Sequence, residues 1–191
     1  MHPNHNHKKK GFTLIELLVV ISIIGFLSSI IFVSVRGAII QSRDARRLSD
    51  MNQIVKALEV YYSIKKQYPG PVVDYGEWED PGLCGWDTSS RDYDSDGRPF
   101  IEPLIDEGVT PVVPGDPVGT GETWECGGLN YRYYLYAAGS WGCSPVRGPY
   151  YVLGVNDMEA SAGPYPTSPG WSCSGRNWQN EFDWVTGAFE R

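Results

Sequence analysis

Three groups of residues in this chain of 191 have the types and spacing to do chemistry, and a fourth excludes some of it. Asp92-Tyr93-Asp94-Ser95-Asp96-Gly97-Arg98 places carboxylates at alternate positions ahead of a glycine, the first half of a calcium loop. Three neighbouring carboxylates repel one another unless a hard cation sits among them. The Arg98 carbonyl would be the next ligand. Pro103 stands where the usual bidentate Glu would be, so Glu102, one residue early, is the expected substitute, with Asp106 and Glu107 as alternatives. Calcium is the expected cofactor, and a solvated Asp-rich turn is the competing reading. The cysteines are Cys84, Cys126, Cys143 and Cys173. They form no C-x-x-C pair, which argues against a zinc ribbon or a thioredoxin-type site. In an oxidising compartment an even count implies two disulfides with three possible connectivities, of which Cys84–Cys126 with Cys143–Cys173 is preferred, with free buried thiols the alternative. Glu16 is the sole charge in the apolar run Phe12–Val35. All three histidines (His2, His5, His7) lie in the first seven residues, so a domain without that stretch has no Ser-His-Asp or Cys-His machinery and no His-ligated zinc.

The elements that must position these groups follow from pattern. Phe12–Val35, as a helix rising about 1.5 Å per residue, spans roughly 36 Å, enough to cross a bilayer. It is longer than the h-region of a secretory signal, and no small-residue cleavage site follows it. A carboxylate inside such a helix is costly unless paired, which makes Glu16 a functional residue by expectation. Its partner must be a cation at the same depth, and the run itself supplies none; a newly cut α-amino group on a neighbouring copy would serve. Beyond Arg36, apolar residues recur at Ala45, Leu48, Met51, Val55, Leu58 and Tyr62, one helical face, with Arg46, Arg47, Asp50 and other polar residues mostly between them. Pro69-Gly70-Pro71 stops the helix, which is expected from about Thr13 to Lys66. Strands are expected at Asn130–Ala137, Pro149–Val155 and Phe182–Thr186, where aromatic and β-branched residues lie between Gly and Pro breaks. The fold class is therefore α+β: a lollipop with one long N-terminal helix on a small antiparallel sheet.

Charge is distributed unevenly. Lys8, Lys9, Lys10 and Arg36 are the basic residues of the first 36, against Glu16 alone, whereas beyond residue 67 there are 6 basic and 19 acidic residues. Basic residues ahead of an apolar run keep that end cytoplasmic and place the acidic body outside. A net charge of -7, with aromatics but no basic interleaving, speaks against nucleic acid as a partner. The seven Trp, all at or beyond Trp78, are expected to fill a Gly/Pro-rich core and its subunit contacts; stacking on sugar rings is the alternative.

Lys8-Lys9-Lys10-Gly11-Phe12-Thr13-Leu14-Ile15-Glu16 resembles the type III signal of type IV prepilins and type II secretion pseudopilins: a short basic leader, a Gly, then Phe-Thr-Leu-Ile-Glu at the head of an apolar run. The resemblance implies cleavage between Gly11 and Phe12 by a prepilin peptidase, methylation of the Phe12 amino group, and assembly of copies with Glu16 neutralising that amino group on a neighbour. Leu58-Glu59-Val60-Tyr61 with Gln67-Tyr68-Pro69, and Val113-Pro114-Gly115-Asp116-Pro117-Val118-Gly119, resemble further segments of major pseudopilins. Many relatives have a Pro where this chain has Val33. The implied organisation is a leader at 1–11, a transmembrane and polymerisation helix at 12–36, its amphipathic continuation at 37–67 and a disulfide-bonded β-rich head at 68–191. The expected protein is a filament subunit, not an enzyme. Its partners are other copies, the peptidase and an inner-membrane assembly platform; it starts as a single-pass protein of the cytoplasmic membrane and ends in a pilus or pseudopilus at the cell envelope or surface. A monomeric membrane-anchored, calcium-dependent glycan-binding module is the alternative from another class.

Overall fold

The structure, a computed structural model, describes residues 12–70, 86–89, 100–119, 129–161 and 163–191, with backbone alone at 30–34. The chain is α+β. Helix α1 runs Leu14–Lys65, and the division into two compact units, Met1–Ile40 and Gln41–Arg191, falls within it.

In the first unit the described apolar side chains of α1 are exposed from Leu14 to Leu27, as is Phe12 ahead of the helix at 89 %. Among the described residues no helix is long and apolar enough to cross a membrane.

In the second unit α1 buries Met51, Ile54, Leu58 and Tyr61 at the 3–4 spacing of one helical face. This face is turned relative to the one read from the sequence. Ala45 is exposed, Leu48, Val55 and Tyr62 are half-buried, and Asp44, Arg47 and Asp50 are buried. A periodicity built on apolar residues assigns charged positions to solvent; here the charged residues satisfy one another inside. The helix ends as Lys66 turns left-handed (φ 60°), its N–H donating to the Tyr62 carbonyl, and Pro69 follows.

Among the described residues β1 (Asp87–Thr88), β2 (Tyr131–Tyr136), β3 (Tyr150–Val155) and β6 (Trp184–Phe189) form one antiparallel sheet in the order β1-β2-β3-β6. A short helix α2 (Pro103–Asp106) precedes β2, and β4 (Ser172–Cys173) pairs with β5 (Arg176–Asn177) as a hairpin. Strand β3, central and apolar, is buried at every residue. Tyr131 and Tyr133 of β2, Tyr151, Leu153 and Val155 of β3 and Trp184 pack with the α1 face, whereas Tyr136, Tyr150, Val152 and Val185 pack with Trp86, Trp178 and Phe182 in a second core. Strand β6 starts two residues later than the sequence suggests and runs to Phe189, because Phe182 still closes the preceding turn, donating its N–H to the Trp178 carbonyl at 3.1 Å. Of the described Trp, Trp86, Trp178 and Trp184 are buried, Trp171 is half-buried and Trp141 is exposed.

Candidate functional site

The first turn of α1 carries the candidate assembly residues. Gly11 lies outside the described residues. Thr13 and Glu16 form a reciprocal cap: the Glu16 N–H donates to Thr13 Oγ1 at 3.3 Å, while the Thr13 N–H donates to Glu16 Oε2 at 2.8 Å. Thr13 Oγ1 also donates to that same Oε2 at 2.7 Å, so both Thr13 bonds land on one carboxylate oxygen. The sequence carries the signal for this cap as Thr-x-x-Glu ahead of an apolar run.

Of the candidate metal residues, Asp92, Asp94, Asp96 and Arg98 lie outside the described residues. Glu102 is half-buried at the start of α2, where its carbonyl accepts the N–H groups of Ile105 and Asp106 at 2.8 and 3.1 Å. Of the alternatives, Glu107 Oε1 pairs with Lys65 Nζ at 2.6 Å. Among the described residues no three His, Cys, Asp or Glu are grouped to hold a metal ion. Cys84 and Cys126 also lie outside the described residues. Cys143 and Cys173 are joined as a disulfide, Cα–Cα 5.0 Å, closing a loop with a sequence separation of 30.

The most elaborate polar arrangement is one that pattern reading missed. Arg47, with a fully buried side chain, stands on the packed face of α1. Its Nε and second terminal nitrogen donate to Asp116 Oδ2 and Oδ1 at 2.7 and 3.1 Å, and Nη1 donates to Asp44 Oδ1 at 2.7 Å and Glu159 Oε1 at 2.8 Å. Asp44 in turn accepts the backbone N–H groups of Glu159 and Ala160 at 3.0 and 2.8 Å, and Arg43 forms a fork with Glu159. Burial alone would lower the Arg47 pKa, but its bonds to Asp116, Glu159 and Asp44 outweigh that and raise it, so the guanidinium stays charged. For Asp116 burial pulls upward, yet the Arg47 guanidinium and the N–H groups of Val118 (2.8 Å) and Gly119 (3.2 Å) hold its carboxyl below the usual range. This explains the Asp-Pro-Val-Gly segment. Pro117 has no N–H, the next two residues donate to the Asp116 side chain, and Gly119 takes φ 58° to close the turn. The arrangement is a fixed receptor for a guanidinium that ties two loops to α1; a permanently charged Arg neither gives nor takes a proton near neutral pH.

Comparison with known proteins adds the following. Residues 6–32 match the prokaryotic N-terminal methylation motif. The type IV major fimbrial protein FimA of Dichelobacter nodosus is 32 % identical over 88 residues, covering 46 % of this chain and 55 % of that protein. The type II secretion system core protein G of Escherichia coli (strain K12) is 36 % identical over 62 residues, covering 32 % of this chain and 43 % of that protein. The chain thus spans about half the length of the curated relatives it matches. No solved structure matches it.

Proposed function

We propose that the chain is a structural subunit of a type IV pilus or a type II secretion pseudopilus, working as a polymer rather than as an enzyme. The observation that carries this reading is the apolar wall from Phe12 to Leu27, exposed on the isolated chain and headed by one carboxylate, within the segment that matches the methylation motif. Such a surface is stable only in lipid or against other copies of itself. Cleavage between Gly11 and Phe12 by a prepilin peptidase would put a methylated amino group one residue before Thr13. Because the Thr13 bonds use Oε2, Glu16 Oε1 is left to accept that cation from a neighbouring subunit, neutralising both charges in low dielectric and setting the axial register. In this reading the segment 12–36 is held in the cytoplasmic membrane before assembly and in the filament core afterwards. The Asp92–Asp96 loop would hold calcium in the head, a reading that rests on carboxylate spacing alone.

Two measurements test the proposal. Intact-mass spectrometry of the protein from its native cells should show loss of residues 1–11 and gain of one methyl group; an uncut chain overturns it. Glu16→Ala should abolish filaments while leaving the processed subunit in the membrane. Wild-type filament yield from this variant would refute the role given to the carboxylate.

A further inference from the structure

Trp141 is the exposed exception among the described tryptophans, 50 % accessible where Trp86, Trp178 and Trp184 are at most 5 %. Its backbone is left-handed (φ 50°, ψ 29°), between Gly139 at φ 84° and Gly142 at φ 73°. That conformation is strained for a bulky L-residue and relaxed for glycine, so holding tryptophan there costs free energy without gaining a buried ring. The turn is nevertheless clamped. The Gly175 N–H donates to the Trp141 carbonyl at 2.9 Å, Ser174 Oγ donates to the Gly142 carbonyl at 3.1 Å, and the Cys143–Cys173 disulfide joins the turn to the β4–β5 hairpin. A Cβ at position 175 would lie 2.7 Å from the Trp141 carbonyl oxygen, so only glycine permits this approach.

A cation lies over one face of the ring, so a stacked ligand takes the other. The Arg176 guanidinium lies 4.9 Å from the Trp141 ring centroid. It forms a fork with Glu181 and donates to the Tyr136 hydroxyl at 3.2 Å, which uses three of its five N–H groups. Ser174, Asn177, Asn180 and Glu181 are exposed nearby in sequence or bonding. A protein hot spot needs a surround that excludes water; an exposed indole with a charged carboxylate–guanidinium fork against its ring has the opposite surround. It suits a pyranose, whose C–H face packs on the electron-rich ring while its hydroxyls take the spare donors and acceptors.

We propose that Trp141, with the Arg176–Glu181 fork, is a stacking platform for a neutral polysaccharide. The chain's excess of acidic residues, 23 against 16 basic, disfavours polyanions. The inference goes beyond filament assembly and does not require it.

The test uses the processed full chain in a sugar-free zwitterionic detergent, titrated with cellohexaose, maltohexaose and chitohexaose and read by calorimetry and Trp fluorescence. At least one should bind with a dissociation constant on the order of 1 mM or tighter. Trp141→Gly should weaken binding at least tenfold while leaving the thermal midpoint unchanged or raised, because glycine relieves the strain. Glu181→Gln should weaken binding without moving the midpoint. Absence of binding by all three sugars overturns the proposal. So does a Trp141→Gly variant that binds normally, or one that unfolds several degrees earlier, which would make the ring structural. Filament loss in Trp141→Gly with no sugar bound by the wild type would reassign the ring to a subunit contact.

Discussion

Replacing Arg47 by Met keeps much of the side-chain length and removes the one cation that Asp44, Asp116 and Glu159 share. Three charge-assisted contacts at 2.7–2.8 Å disappear, and Asp116 is left in the interior with only the Val118 and Gly119 N–H groups. Removing one partner of a buried pair costs about 3–5 kcal/mol, because the remaining charge stays desolvated. An exposed pair is worth roughly 0–1 kcal/mol. Arg46→Met is therefore the internal control: its side chain is 63 % exposed and 3.7 Å from Asp50. All seven Trp lie at or beyond residue 78, so urea unfolding followed by Trp fluorescence reports on the second unit. With a urea slope of about 2 kcal/mol/M, Arg47→Met should lower the midpoint by roughly 1.5–2.5 M and Arg46→Met by less than about 0.5 M. Adding Asp116→Asn to Arg47→Met should recover part of the loss, since it removes the stranded carboxylate; in the wild-type background the same change should destabilise. Equal midpoints for the Arg47 and Arg46 variants would refute the claim that this cluster fastens the loops to α1.

Two further outcomes follow from the same structure. Burial raises the Asp50 carboxyl, outweighing the Tyr131 hydroxyl bond, and likewise raises Asp183 over its Met158 N–H bond, while Asp116 is lowered from the ordinary 3.8. The native state thus holds extra protons on Asp50 and Asp183 above pH 3.8, so the urea midpoint should rise as pH falls from 7 toward that value, then drop as Asp116 is protonated below it. Asp50→Asn with Asp183→Asn should flatten the upper limb and spare the lower one; an unchanged profile would count against this assignment. Opening the Cys143–Cys173 loop with a double Ser variant should cost about 3–4 kcal/mol by loop-closure entropy, read as a lower urea midpoint, and a loss under 1 kcal/mol would show the linkage to be slack.

What pattern made legible was backbone. The helix expected from Thr13 to Lys66 is observed from Leu14 to Lys65, and the strands around Tyr131–Tyr136 and Tyr150–Val155 fall within their expected ranges, because period and breaker residues act locally. What stayed hidden was partnership over distance. Arg47 and Asp50 read as solvent-facing because hydropathy cannot see Asp116, 69 residues away, or Tyr131, 81 residues away, whose hydroxyl donates to Asp50 at 2.9 Å. Whether Trp141 belonged to the core or to a surface contact was hidden for the same reason: its exposure is decided by a left-handed turn and by Gly175 across a disulfide, neither of which leaves a periodic trace. The Thr13–Glu16 cap is different. It is written in four consecutive residues, Thr13 to Glu16, and needs no distant partner to form.

That cap has a consequence for how a polymer would grow. A chain end that reaches the growing tip as a floppy peptide must surrender its conformational freedom at the instant of docking, and that loss subtracts from the grip. Here the opening turn is already closed by its own threonine, so in such a polymer the carboxylate would arrive aimed.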